Sequence, residues 1–293
     1  MTESVLKHPS WIRGKLSWDK NFNESRDLIR ELNLKSVCVE AACPNKGECW
    51  SNRHITFLIL GDICTRGCCF CNISFGEPRM PDKKEPSNIV KAVERMGSKY
   101  VVITSVTRDD LADGGAGHFI QTVKLLKEHN NSIKVELLIP DFNADSALIG
   151  KIALSGADVI GHNIEMPQPL YACIRPRSDY RLSLKTLKLL SGQKKENGFL
   201  TKSSMILGLG EQYQDILATF EDLRRADVDI LYLGQYLNPS GKNSPVLKYY
   251  TPEEFELLKK KAEGCNFKTV CSGPMVRSSF RAEQAYNSAM SRS

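Results

Sequence analysis

From residue 56 onward the chain alternates short Val/Ile/Leu-rich runs with longer amphipathic stretches, and this alternation limits its fold more than any other feature. The runs are TFLIL (56–60), YVVITS (100–105), IKVELLI (133–139), DVIGHNI (158–164), SMILGL (204–209) and ILYLGQYL (230–237). Short, continuous apolar runs suit parallel strands covered on both faces. Between them a helix capped by Ser87 is predicted to bury Ile89, Val93 and Met96. Phe119, Val123 and Leu126 share another helical face, and Ile216, Phe220 and Leu223 a third. Thr251-Pro252-Glu253-Glu254 reads as a capping box with proline at the first helical position, opening a helix that carries Phe255 and Leu258. Six strand–helix units in series predict an α/β domain with a parallel sheet. It is either doubly wound or rolled into a complete or partial barrel of six strands. No GxGxxG follows the first run, which gives a dinucleotide fold little support. Residues 1–55 are expected to form an N-terminal extension, 56–263 the barrel or sheet, and 264–293 a C-terminal extension.

Seven of the ten cysteines fall within 34 residues, in CVEAACPNKGECW (38–50) and CTRGCCFCN (64–72). No run of eighteen apolar residues exists to cross a membrane. The opening MTESVLKHPSWIRGK has no apolar leader core. A cytoplasmic setting is expected, where clustered thiols serve metals or catalysis rather than disulfides. Net charge is +6 with a pI near 8.7. The one conspicuous basic run, Lys259, Lys260 and Lys261, reads as a solvated helix face, so neither nucleic acid nor membrane is expected as a partner.

The first strand runs through Gly61, Asp62 and Ile63 into Cys64. The second cysteine stretch therefore stands at a strand's C-terminal end, where parallel α/β barrels carry their chemistry. Cys64, Cys68 and Cys71 are spaced C-x3-C-x2-C. Cys69, next to Cys68, cannot easily aim at the same metal and reads as a bystander. Structural zinc wants four closed ligands; this loop offers three, and His54 lies across a whole strand. Three thiolates on a four-iron cube leave one iron open to a small chelator. The earlier trio, Cys38, Cys43 and Cys49, is spaced C-x4-C-x5-C and also lacks a fourth ligand. Alone it could hold zinc with a distant histidine; beside the first cluster, a second iron–sulfur cluster is the better reading. Cys173, Cys265 and Cys271 have no partners at ligand spacing and read as bystanders.

C-x3-C-x2-C with Phe70 before the last cysteine resembles the signature of the radical S-adenosylmethionine enzymes. In that superfamily the cofactor's methionine part chelates the open iron, and its cleavage gives a radical that attacks unactivated C–H bonds. Both cysteine stretches together resemble the lipoyl synthase family. The likeness continues through KHPSWIRGK (7–15), TSVTRDDLADGGAGHF (104–119), HNIE (162–165), GLGE (208–211), DVDILYLGQYL (227–237) and GPMVRSSF (273–280).

The resemblance implies a partial (β/α)6 barrel holding two [4Fe–4S] clusters and S-adenosylmethionine. It implies insertion of two sulfur atoms at C6 and C8 of an octanoyl chain on a carrier lysine. The implied carriers are 2-oxoacid dehydrogenase lipoyl domains or the glycine-cleavage H protein, with flavodoxin or ferredoxin as electron donor. The cluster at the first trio donates the sulfur. Its last iron is held by a serine of an Arg-Ser-Ser motif, which falls on Ser279, with Ser278 the lesser choice. Asn163, Glu165 and Arg175, near the end of the fourth strand, are proposed to meet the cofactor beside Phe70. Thr107, Arg108 and Asp109 follow the second strand and are open to structural or binding roles. His162 reads as a packed histidine, and Gly208 and Gly210 as turn glycines or as room for the cofactor. The chain departs from the family pattern at Asn243, where a histidine is usual, and at Phe280, where a tyrosine is. The competing readings are another sulfur-inserting radical enzyme and a non-catalytic zinc-binding interaction module. A tRNA methylthiotransferase is expected to need a basic C-terminal RNA-binding domain, for which residues after 263 leave no room.

Overall fold

In the computed structural model all six predicted strands form, in order and parallel. They are β1 (Thr56–Ile59), β2 (Tyr100–Ser105), β3 (Lys134–Leu138), β4 (Val159–Gly161), β5 (Leu200–Leu207) and β6 (Ile230–Gln235). The structure describes residues 7–14 and 17–292; residues 1–6 and Lys15, part of the opening stretch read above, lie outside. A seventh parallel strand, β7 (Thr269–Gly273), pairs with β6, Ile230 opposite Thr269. This strand lies within residues 264–293, the segment expected to form a C-terminal extension. A two-residue strand, Lys35–Ser36, adds antiparallel to the outer edge of β1.

Strand order in the sheet follows sequence order, β1 to β7, without reversal. A doubly wound sheet reverses its order at a switch point, so the winding is that of a barrel. The sheet stays open, since β1 and β7 do not pair. Yet the Thr56 hydroxyl on β1 donates to Ser279 Oγ, just past β7, at 2.8 Å. The two edges therefore curl toward one another, and the fold is the partial barrel.

Side chains alternate across the strands. Val101 and Ile103 pack outward with Ile89, Phe119 and Val123 of the helices. Tyr100 and Val102 point inward and meet Leu200, Ile230 and the C-terminal helix Ala282–Met290, whose alanines cover that end of the barrel. Deeper inside, Lys202 bonds Glu136 at 2.6 Å, Tyr100 donates to the same carboxylate at 2.7 Å, and the ammonium lies 4.0 Å from the Tyr232 ring centroid.

The helices follow their sequence signals. They are α1 (Glu85–Met96), α2 (Ala116–His129), α3 (Ser146–Ala153), α4 (Tyr180–Asn197), α5 (Tyr213–Arg225) and α6 (Pro252–Glu263). The capping box at Thr251 and Glu254 is complete. Ile216, Phe220 and Leu223 of α5 are fully buried, each contributing about 1.5–3 kcal/mol. Ser87 does not cap α1. The helix starts three residues earlier, capped at Lys84, because Pro86 suits its first turn, and the Ser87 hydroxyl donates back to the Lys84 carbonyl. Gly115 is required where α2 begins: a Cβ there would stand 2.2 Å from Leu60 at the end of β1. No helix among the described residues is long and apolar enough to cross a membrane.

Candidate active site

The cysteine loop after β1 is set by left-handed turns at Leu60 and Gly61. The chain then pairs Ile63–Cys64 with Ser74–Phe75, which brings both ends of residues 64–75 together. The Gly76 amide donates to the Cys64 carbonyl at 3.1 Å, and the Cys71 amide to that of Cys68 at 3.0 Å. Asn243, where the chain departs from the family pattern, donates to the Cys71 carbonyl at 2.8 Å. The backbone of the loop is thus satisfied by protein, while Cys64, Cys68 and Cys71 keep their sulfurs for a ligand. Cys69 is turned away: its thiol faces the Cys173 carbonyl at 3.6 Å. Of the other cysteines, Cys173 bonds the Leu170 carbonyl and Cys265 that of Lys261.

Arg66, inside this loop, was not singled out in the sequence. It is buried, and its guanidinium donates to Asp109 at 2.9 Å from two nitrogens and to Asp141 at 2.8 Å, with a further close contact to Asp141. Asp109 and Asp141 follow β2 and β3, so one side chain clamps the loop to two strand ends. Burial alone would raise the Asp141 carboxyl, but Arg66 holds it below its usual range. Arg66→Ala is expected to leave a buried carboxylate unpaired and to cost about 3–5 kcal/mol in urea unfolding of the apo chain. Lysine restores only part, because one ammonium cannot span both acids. Arg108 has a supporting place: it pairs with Asp110 and donates to the Leu60 carbonyl at 3.0 Å.

Asn163, Glu165 and Arg175 come together beside the loop. Glu165 sits in the left-handed region at φ 65°, pinned on β5 by its amide to the Ser204 carbonyl at 2.9 Å. Asn163 donates to its carboxylate at 3.0 Å. Burial pushes the Glu165 carboxyl up, against the pull of Arg175. Arg175 donates to the Tyr171 hydroxyl at 2.8 Å, and its guanidinium lies against that ring. Burial raises the Cys68 thiol, and Arg175 draws it back down. The Nε of Arg175 is buried with no protein partner. An unpaired cationic donor beside three thiols fits an acidic ligand that also reaches what the thiols hold. Phe70 packs half-buried against the core built around β4, β5 and β6.

His162 is the packed residue expected. Its Nδ1 donates to the Ile139 carbonyl at 2.9 Å, and Nε2 is buried without a partner. Burial pushes its pKa down to about 4, against the pull of Asp141. Between that value and the unfolded value near 6.5, the unfolded chain binds a proton that the folded chain does not. This contribution is whole above pH 6.5 and lost as pH falls toward 4, about 3 kcal/mol in all. His162→Gln is therefore expected to flatten the fall in urea stability between pH 6.5 and 4.5. Gly208 and Gly210 are both left-handed, at φ 112° and 102°. They make a turn after β5 in which Glu211 accepts from the Gly208 and Leu209 amides at 2.7 and 2.9 Å.

The first trio lies in a separate pocket. Cys38, Cys43, Cys49 and Ser279 line it together with Thr56, Arg277 and Phe280. Ser278 does not. Ser36 caps the short helix Val37–Glu40, accepting from the Cys38 amide at 3.2 Å. Cys49 stands on the helix Lys46–Ser51, held by Trp50 in the core. Asn45 donates to the Met275 carbonyl at 2.6 Å, and Arg281 pairs with Glu48 at 3.2 Å. These contacts bring residues over two hundred positions apart to one site. Burial, with its neighbouring thiols, pushes Cys49 up to about 12, so anionic sulfur there calls for a bound cation. Three thiols and a serine hydroxyl, four side chains of ligating type, therefore line one pocket. Among the described residues no three His, Cys, Asp or Glu converge at the spacing of a single metal ion. A cube that takes one ligand at each iron asks for a wider set.

Residues 58–223 match the family model described as the radical SAM superfamily. Among solved structures, the chain superposes on SuiB of Streptococcus suis bound to S-adenosylmethionine (TM-score 0.54, 16% identity, 70% of this chain and 46% of that one). It superposes equally on methylornithine synthase, PylB (TM-score 0.54, 16% identity, 86% and 75%). The chain belongs to the radical SAM superfamily. It is 44% identical over 278 residues to the lipoyl synthase of Caldicellulosiruptor saccharolyticus, covering 95% of this chain and 97% of that protein. With the lipoyl synthase of Nitrosospira multiformis it shares 45% over 285 residues, 97% and 89%. Within the superfamily it is a member of the lipoyl synthase family, which sets aside the reading as a zinc-binding interaction module.

Proposed function

We propose that this chain is a lipoyl synthase, an enzyme that inserts sulfur at C6 and C8 of an octanoyl chain carried on a lysine of a lipoyl-domain protein. What supports the reading most is the second pocket, in which Cys38, Cys43, Cys49 and Ser279 meet. Generating a radical needs only the loop after β1; delivering sulfur needs a second store of it.

When bound, one cluster with S-adenosylmethionine supplies hydrogen abstraction from unactivated carbon, and the other supplies sulfur. Cys64, Cys68 and Cys71 would hold the first cluster. Arg175 offers its unpaired Nε to the cofactor's carboxylate, and Asn163 and Glu165 face its ribose or methionine part. Arg66 keeps the loop fixed against β2 and β3, so the reacting groups keep one geometry. Cys38, Cys43, Cys49 and Ser279 hold the second cluster. Phe70 shields the first loop from the core side. Ile164, Met166 and Met205 pack under Ile216 and Phe220 of α5 and so back the strand ends that carry Asn163 and Glu165. We assign the carriers to 2-oxoacid dehydrogenase lipoyl domains and the glycine-cleavage H protein. The electron donor is flavodoxin or ferredoxin, and the compartment is the cytoplasm. Residues 1–55 act as the arm bearing the second cluster, 56–263 as the radical barrel, and 264–293 as the segment that completes the second site.

The test is direct. Reduced, reconstituted protein is incubated with S-adenosylmethionine and an octanoyl-lysyl carrier peptide. Mass spectrometry is expected to show two sulfur atoms in place of two hydrogens. Cofactor cleavage with an unchanged peptide would overturn the assignment.

A further inference from the structure

We propose that Thr56 is a positioning residue for the second pocket, holding Ser279 Oγ as a ligand through its own hydroxyl. The inference rests on the reading of Ser279 as a cluster ligand and extends it to a residue that reading does not include.

Three observations place Thr56 there. Its hydroxyl donates to Ser279 Oγ at 2.8 Å. Its carbonyl accepts from the Ser36 hydroxyl at 2.9 Å, and Ser36 in turn caps the Cys38 amide. It opens β1 opposite Val102 and lines the pocket with the three cysteines. One strand residue therefore fixes the serine by its side chain and the first cysteine by its main chain. The strand ladder leaves Thr56 little freedom, so the oxygen it points at has little either.

The chemistry gives this contact a use. A serine ligates iron as an oxyanion, and an O–H donor beside it stabilises that charge and fixes the rotamer. A hydroxyl oxygen has two lone pairs, so one can take the Thr56 hydrogen while the other turns to the pocket. Without that donor the oxygen is both less fixed and less stable as an anion.

Oxygen-free holoenzyme carrying about eight irons is challenged with a ferrous chelator, and iron release is followed by absorbance. Thr56→Val keeps the shape and removes the donor. It is expected to release half of the iron about tenfold faster, with the other half at the wild-type rate and cofactor cleavage retained. Thr56→Ser should behave as wild type. Thr56→Val added to Ser279→Ala should be no faster than Ser279→Ala alone. Uniform loss of all the iron in Thr56→Val would mean general destabilisation and overturn the inference. So would a wild-type rate in Thr56→Val when Ser279→Ala is fast. If Ser279→Ala itself releases iron at the wild-type rate, the ligand reading beneath it falls as well.

Discussion

Cys68→Ala is expected to abolish reductive cleavage of S-adenosylmethionine, with a loss on the order of a thousandfold or more in 5′-deoxyadenosine formed. In the proposed reading the three thiols of the loop after β1 hold that cluster, and the loop cannot rearrange to replace one. Cys69 is the nearest substitute, but its amide donates to the Ile174 carbonyl and its own carbonyl accepts from Ser244, both at 2.9 Å. Its thiol faces the Cys173 carbonyl. Turning it inward would break all three contacts. Iron content should fall from about eight to about four per chain, because the other pocket draws on different elements. Cys69→Ala is the control and should cleave the cofactor within about twofold of wild type, since removing a half-buried bystander sulfur has a small effect. Retention of cleavage within tenfold in Cys68→Ala would show that these thiols do not hold the cluster that cleaves it.

Cys43→Ala should give the opposite pattern. Cofactor cleavage is expected to stay within a few fold of wild type, while the two-sulfur product falls on the order of a thousandfold or more. Cys43 stands between the short helix that carries Cys38 and the Pro44–Asn45 turn, whose asparagine reaches the Met275 carbonyl. It touches none of Arg66, Glu165 or Arg175, so its loss leaves the radical site intact. Burial already disfavours the bare Cys43 thiolate, and alanine there removes the thiol without leaving a charge behind. The measurement is one incubation with two readouts: 5′-deoxyadenosine by chromatography and the octanoyl peptide by mass spectrometry. Sulfur in the peptide at wild-type yield would remove Cys43 from the sulfur-delivering site. Together the two variants divide the chemistry between the pockets.

Local pattern made much of this legible. Parallel strands need near-continuous apolar runs, so TFLIL, YVVITS and the other four are recognisable without any knowledge of packing. The capping box at Thr251 needs only four consecutive residues. Spacing alone separated Cys64, Cys68 and Cys71 from Cys69, because adjacent side chains on one loop cannot readily face one metal. β7 has no such signal, because TVCSG is stabilised by pairing with β6 rather than by its own pattern. The role of Arg66 is invisible in local sequence because its partners, Asp109 and Asp141, lie 43 and 75 positions away. Asp141 itself sits in PDFNAD, which reads as an ordinary turn.

The sequence by itself determined the repeated strand–helix order, the two cysteine trios, and through their resemblance the chemistry expected of them. Those features depend on neighbours a few residues apart, so composition and spacing record them. The tertiary structure gave the winding of the sheet, which the strand pattern left open, and set Ser279 rather than Ser278 in the pocket with the first trio. It alone set Thr56 against that serine and Arg66 between two acids. Such choices follow from which strand edges meet when the barrel curls, and no local pattern encodes a contact across more than two hundred residues.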